Sequence, residues 1–139
     1  MKSLTKIILA TGLLALSALA QAENVIVVSS KSSVSSMTKE QVADIYLGNT
    51  KELPGGGQAA PLLPTSGSVR SEFFDKVLGK NEAQAKAIWS RLVFSGKGSA
   101  PRDVADSAET LKMIAANPNS IGVIEKSAVN SSVKVVFTP

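Results

Sequence analysis

The sequence predicts a small α/β domain in which helices cover a central mixed sheet. Short β-branched runs alternate with stretches whose apolar residues recur at helical spacing. Capping patterns and Gly/Pro/Ser-rich turns separate those stretches. Once an export leader is set aside, the remaining length suits one domain around one core.

The leader is residues 1–22. Lys2 and Lys6 form a positive start, residues 7–18 an apolar centre, and Ala20-Gln21-Ala22 an A-x-A cleavage signal. The apolar centre falls short of the roughly 20 residues that a spanning helix needs, and no second run of that length follows. Cleavage near Ala22 is therefore expected, leaving a periplasmic domain over residues 23–139 with no membrane anchor. The formal charge of +4 includes Lys2 and Lys6, and the other basic residues are scattered. There is no basic run or aromatic platform for nucleic acid.

The elements follow in order. Asn24–Ser29, NVIVVS, reads as a buried strand. After a serine-rich loop, Thr38 and Gln41 have capping-box spacing, and Val42, Ile45 and Tyr46 form the stripe of a helix that Gly48 ends. Pro54 and three consecutive glycines mark residues 49–58 as a loop. A strand over residues 60–63 then leads through a small-residue turn into a helix from about Ser68 to Leu78, closed by Gly79. A helix from Glu82 to Val93 follows, with Ala85, Ile88, Trp89 and Leu92 on one face; Trp89 reads as a core anchor rather than a ligand platform. Residues 95–102 break the pattern. Asp106 and Glu109 cap a helix carrying Ala108, Leu111, Ile114 and Ala115, and residues 117–120 stop it. Two last strands, residues 121–125 and 133–137, flank a turn.

The chemistry-bearing stretch is Pro64-Thr65-Ser66-Gly67-Ser68 and the helix start behind it. The first N–H groups of a helix have no internal partner and lie at its positive end, so an oxyanion can be held there without a full countercharge. Gly67 lets backbone approach such a ligand, Thr65, Ser66 and Ser68 add hydroxyls, and Arg70 in the first turn adds positive charge. Two plainer readings stand beside this one. Ser66 or Ser68 would serve as an ordinary N-cap, and Arg70 would cover apolar neighbours with its stem. Gly96-Lys97-Gly98-Ser99 looks like a second phosphate-cradling turn, with Lys97 as a further donor. It lacks P-loop spacing, and Pro101 follows where a helix would start.

The absences exclude more than they suggest. With no cysteine and no histidine, there are no disulfides, no Ser-His-Asp or Cys-His nucleophile, and no histidine-ligated zinc site. The sequence nominates no catalytic residue, no metal ligands and no cofactor. Glu72 and Glu125 read as surface or capping groups.

Four stretches together resemble the periplasmic substrate-binding proteins of phosphate ABC transporters. The first runs from Ser36 through Asp44-Ile45-Tyr46-Leu47-Gly48. Ser66-Gly67-Ser68-Val69-Arg70-Ser71-Glu72-Phe73 is similar to that family's phosphate turn, Phe94-Ser95-Gly96-Lys97-Gly98 to a G-K-G loop, and Asn117-Pro118-Asn119-Ser120-Ile121-Gly122-Val123-Ile124-Glu125 to the segment before the last lobe strand. They occur in family order across nearly all of residues 23–139. The resemblance implies a single lobe of a type II periplasmic-binding-protein fold, without the opposing lobe that would close on the ligand. It also implies phosphate or a similar oxyanion at Thr65, Ser66, Gly67, Ser68, Arg70 and Lys97. A transporter, an envelope partner or a second copy closing the half-cleft is the implied partner. The turn departs from the family in its Ser66-Gly67 order, in Val69, and in lacking a charged residue before it. The alternative is an envelope interaction domain that has no ligand.

Overall fold

β1 (Asn24–Ser29) is buried along its whole length, and the reason is its place in the sheet. A computed structural model describes residues 23–139, so the expected leader lies outside the described residues. The strands are β1, β2 (Ala60–Pro64), β3 (Arg102–Val104), β4 (Ser120–Glu125) and β5 (Val133–Phe137), in spatial order β3-β2-β4-β1-β5. β1 pairs antiparallel with β4 and β5, while β2 runs parallel to β3 and β4. The sheet is thus mixed, with β1 and β4 shielded on both edges.

Successive strand residues point to opposite faces, and each face has its own apolar cluster. Ile26 and Val28, Leu63, and Ile121 and Val123 face one cluster; Val25 and Val27, Leu62 and Ile124 face the other. Unbroken apolar runs are what a strand covered on both faces requires.

The first face is covered by α1 (Lys39–Tyr46), α2 (Ser68–Phe73) with the π-helical turn Phe74–Leu78, and α3 (Glu82–Phe94). The expected capping box forms at α1: the Gln41 N–H donates to Thr38 Oγ1 (3.1 Å) and the Thr38 N–H to Gln41 Oε1 (2.9 Å). Asn81 and Gln84 make the same reciprocal pair at α3. Tyr46, the last residue of α1, is fully buried; its hydroxyl donates to the Leu62 carbonyl at 2.7 Å, and burial pushes its pKa up. Trp89 is a core residue, as expected, and its indole N–H donates to the Tyr46 carbonyl at 2.8 Å.

α4 (Ser107–Ala116) covers the second face, capped by Asp106. Its buried residues are Thr110 and Ile114, whereas Ala108 and Ala115, assigned to the apolar stripe from sequence, are exposed. Gly122 explains why Thr110 packs here. A Cβ at that position would stand 2.5 Å from Thr110 Cγ2, so its absence lets helix and sheet approach.

Two further expectations need correction. The helix after the turn does not stay α to Leu78; it widens to a π turn from Phe74, closing at Gly79 with φ 62°. β3 begins at the end of the break over residues 95–102 and runs to Val104, where no element was expected. Two of its three residues are exposed charges, so only Val104 carries a burial signal.

Candidate functional site

β2 ends at Pro64, and the chain turns at the carboxyl ends of the parallel strands β2 and β3. In α/β sheets this is where ligand crevices form. The Thr65 N–H donates to the Val104 carbonyl at 3.0 Å, so β3 anchors the first turn residue. Thr65, Ser66, Gly67 and Ser68 are all exposed. Gly67, not a serine, is the N-cap of α2, at φ 90° and ψ 179° with no side-chain cap bond. That backbone conformation belongs to glycine, and a Cβ there would meet nothing within 4 Å. Among the described residues, the N–H groups of Ser66, Gly67, Ser68 and Val69 have no hydrogen-bond partner in the chain.

Arg70 is buried, which the sequence alone did not disclose. Its Nε and Nη2 both address Glu82 Oε1, at 2.7 and 2.5 Å, and Nη1 donates to the Pro64 carbonyl at 2.8 Å. The guanidinium also lies over the Phe74 ring, 5.0 Å from its centroid. Phe74 continues an aromatic path inward, to Phe73 at 6.5 Å and from there to Tyr46 at 4.5 Å. The hydrogen bond and charge of Arg70 hold the Glu82 carboxyl below its usual range. A guanidinium carries five N–H bonds in a fixed fork. With three engaged, one on Nη1 and one on Nη2 are left for another acceptor.

Two clefts adjoin this pair. One, of about 710 Å³, is lined by Thr65, Ser66, Gly67 and Arg70 together with Lys80 and Glu82. The second, of about 660 Å³, shares Thr65, Arg70 and Glu82 and extends along α3. In the first, Arg70 and Lys80 stand against Asp75 and Glu82, so the formal charges cancel. Any oxyanion held there would rely on oriented neutral donors more than on net charge.

Solved structures share this fold. An ABC-type phosphate transport receptor from Vibrio cholerae superposes with a TM-score of 0.65 at 20% identity, over 82% of this chain and 45% of the receptor. A protein from Clostridium perfringens, described as a phosphate ABC transporter substrate-binding protein with bound phosphate, gives 0.66 at 21%, over 82% and 44%. PstS from Borrelia burgdorferi gives 0.58 at 17%, over 82% and 46%. The chain has the fold of one lobe of a phosphate receptor. It spans less than half the length of each of these proteins. No family model and no curated protein sequence matches it.

Within this receptor-lobe fold, the nominated residues separate into two groups. Thr65, Ser66, Gly67 and Arg70 line the first cleft, with Ser68 next in sequence at the helix start. Lys97 lines neither cleft. Its loop follows the carboxyl end of α3, where the Gly96 and Lys97 N–H groups donate to the carbonyls of Val93 and Leu92. Those two donors are spent on the helix end, whose partial charge is negative. Glu82 was read from sequence only as the start of a helix. Its acidic character at a first turn was visible, but its approach to a residue 12 positions earlier depends on how α2 and α3 pack.

Proposed function

We propose that the protein is an exported, non-catalytic oxyanion-binding protein of the cell envelope, with phosphate as reference ligand. Thr65, Ser66, Gly67, Ser68 and Arg70 would hold the anion. The observation that carries this reading is the turn itself: Thr65, Ser66, Gly67 and Arg70 line one cleft, and the N–H groups from Ser66 to Val69 are unpaired. The likeness to receptors of the same fold, one of them with bound phosphate, supports it.

The cleft is exposed to water, so each donor gains little from a low dielectric. Glu82 also offsets the charge of Arg70. Affinity on the order of 0.1–1 mM, about 4–5.5 kcal/mol, is the expectation for the isolated chain. A partner or second copy covering the cleft would raise it. Isothermal titration with phosphate and sulfate tests the reading, and absence of heat at millimolar ligand would remove it. A second reading, an interaction domain with no ligand, is favoured by Phe94 and Val93, which are 97% and 59% exposed. It expects association through that patch with phosphate making no difference.

A further inference from the structure

The geometry points to a phosphomonoester with a neutral apolar body, rather than inorganic phosphate, as the ligand class of this site. The inference rests on the oxyanion reading and adds the part of the ligand that reading leaves out. The second cleft begins at Thr65, Arg70 and Glu82, the residues it shares with the first, and continues between Trp89, Val93, Phe94 and Pro101. This space therefore joins the guanidinium and Thr65 to the apolar side chains of α3 and Pro101, with Lys86, Ser90 and Asp103 also in its walls.

Three properties of that space select the ligand. Its volume is about 660 Å³, within the roughly 300–1,000 Å³ of sites that hold organic molecules. Inorganic phosphate would occupy a small part of it and touch none of its apolar wall. Its charged side chains cancel, Arg70 and Lys86 against Glu82 and Asp103. A charged body would find no net attraction beyond the head group, whereas an uncharged one costs nothing in electrostatics. The third property is the exposure of Phe94, 97%, beside Val93 at 59%. A single exposed apolar residue needs no explanation, but adjacent ones in the same cleft as a buried arginine have a use. An aromatic ring ordered by two side-chain torsions supplies apolar contact at low entropic cost.

Burying about 60 Å² of apolar ligand surface at about 25 cal/mol per Å² corresponds to roughly a tenfold gain in affinity. The test is isothermal titration of the protein with three ligands: inorganic phosphate, glycerol phosphate and phenyl phosphate. Phenyl phosphate should bind about tenfold more tightly than phosphate, with glycerol phosphate close to phosphate. In Phe94→Ser, and independently in Val93→Ser, the ratio of phenyl phosphate to phosphate affinity should fall toward one; circular dichroism checks that both variants are folded. Equal affinity for all three ligands overturns the inference and leaves the oxyanion reading intact. A tenfold ratio that neither substitution changes also overturns it, because the apolar gain then arises elsewhere. No heat with any ligand removes the oxyanion reading and this one with it. Self-association that Phe94→Ser abolishes, with no preference for phenyl phosphate, assigns the patch to a second copy instead.

Discussion

Arg70 and Glu82 meet through a single carboxylate oxygen, which lies 2.7 Å from Nε and 2.5 Å from Nη2 of the guanidinium. The same guanidinium donates to the Pro64 carbonyl at 2.8 Å and covers the Phe74 ring. One side chain thus ties the end of β2 and the helix after the turn to the start of α3. It borders both clefts, and two of its N–H bonds have no acceptor among the described residues.

Arg70→Ala is expected to lower stability as well as anion affinity. It strands the buried Pro64 carbonyl, an omission that costs about 1–3 kcal/mol, and removes a cation–π contact worth roughly 0.5–1 kcal/mol at exposed sites. Arg70→Lys should restore little, because an ammonium cannot span Glu82 and Pro64 with a planar fork. Urea denaturation of both variants checks this. Unchanged midpoints would show that the pair contributes nothing to folding.

Glu82→Gln should strengthen phosphate binding. It removes a negative charge bonded directly to the arginine that would face the ligand. Water screens that charge, so the gain in affinity should be severalfold at most. Weaker binding in this variant would mean that Glu82 holds Arg70 in a necessary orientation and that this outweighs its charge.

The Glu82 carboxyl should titrate below the usual glutamate range, since the Arg70 hydrogen bond and charge both favour its ionised form. Its folded-state pKa is depressed. The pair therefore contributes stability above the ordinary glutamate range, and that contribution is lost as pH falls through the lowered value. Carboxyl ¹³C shifts followed against pH would report it, and in Arg70→Ala the Glu82 titration should move up toward the normal range, with Lys86 still beside it.

Much of this architecture was legible because its determinants are local. The Thr38–Gln41 box, the β-branched run of β1 and the Gly48 and Gly79 helix ends depend on residues within a few positions of one another. β3 was hidden because three residues with two exposed charges carry no period; its identity comes from pairing with β2. The π turn was hidden because Phe73, Phe74, Val77 and Leu78 fit an ordinary helical stripe equally well. At the site, the turn and its glycine could be read from sequence. The partner of Arg70 could not, since it depends on the packing of α2 against α3.

Gly122→Ala should destabilise the fold by about 1–3 kcal/mol, the usual cost of overpacking. The new methyl would stand 2.5 Å from Thr110 Cγ2, and the β-branched threonine has little rotamer freedom to yield. Adding Thr110→Ser removes that methyl but keeps the hydroxyl bonded to the Asp106 carbonyl. The double variant should recover part of the loss in thermal denaturation. No recovery would place the strain elsewhere.

Gly67→Ala tests the turn separately from Arg70. Space for the methyl exists, yet φ 90° is a conformation that alanine rarely adopts. A strain of about 1–3 kcal/mol is expected, either as lost stability or as a rearranged turn with weaker anion binding. An unchanged melting temperature together with unchanged phosphate affinity would contradict both outcomes.

If the turn binds an oxyanion through its own backbone, its amides must report it in NMR spectra recorded during a phosphate titration. Saturable downfield shifts are expected at the Ser66, Gly67, Ser68 and Val69 amides, with those of Gly96 and Lys97, already bonded to α3 carbonyls, nearly still. Amides of residues 66–69 that do not move while phosphate rises through the millimolar range would contradict it.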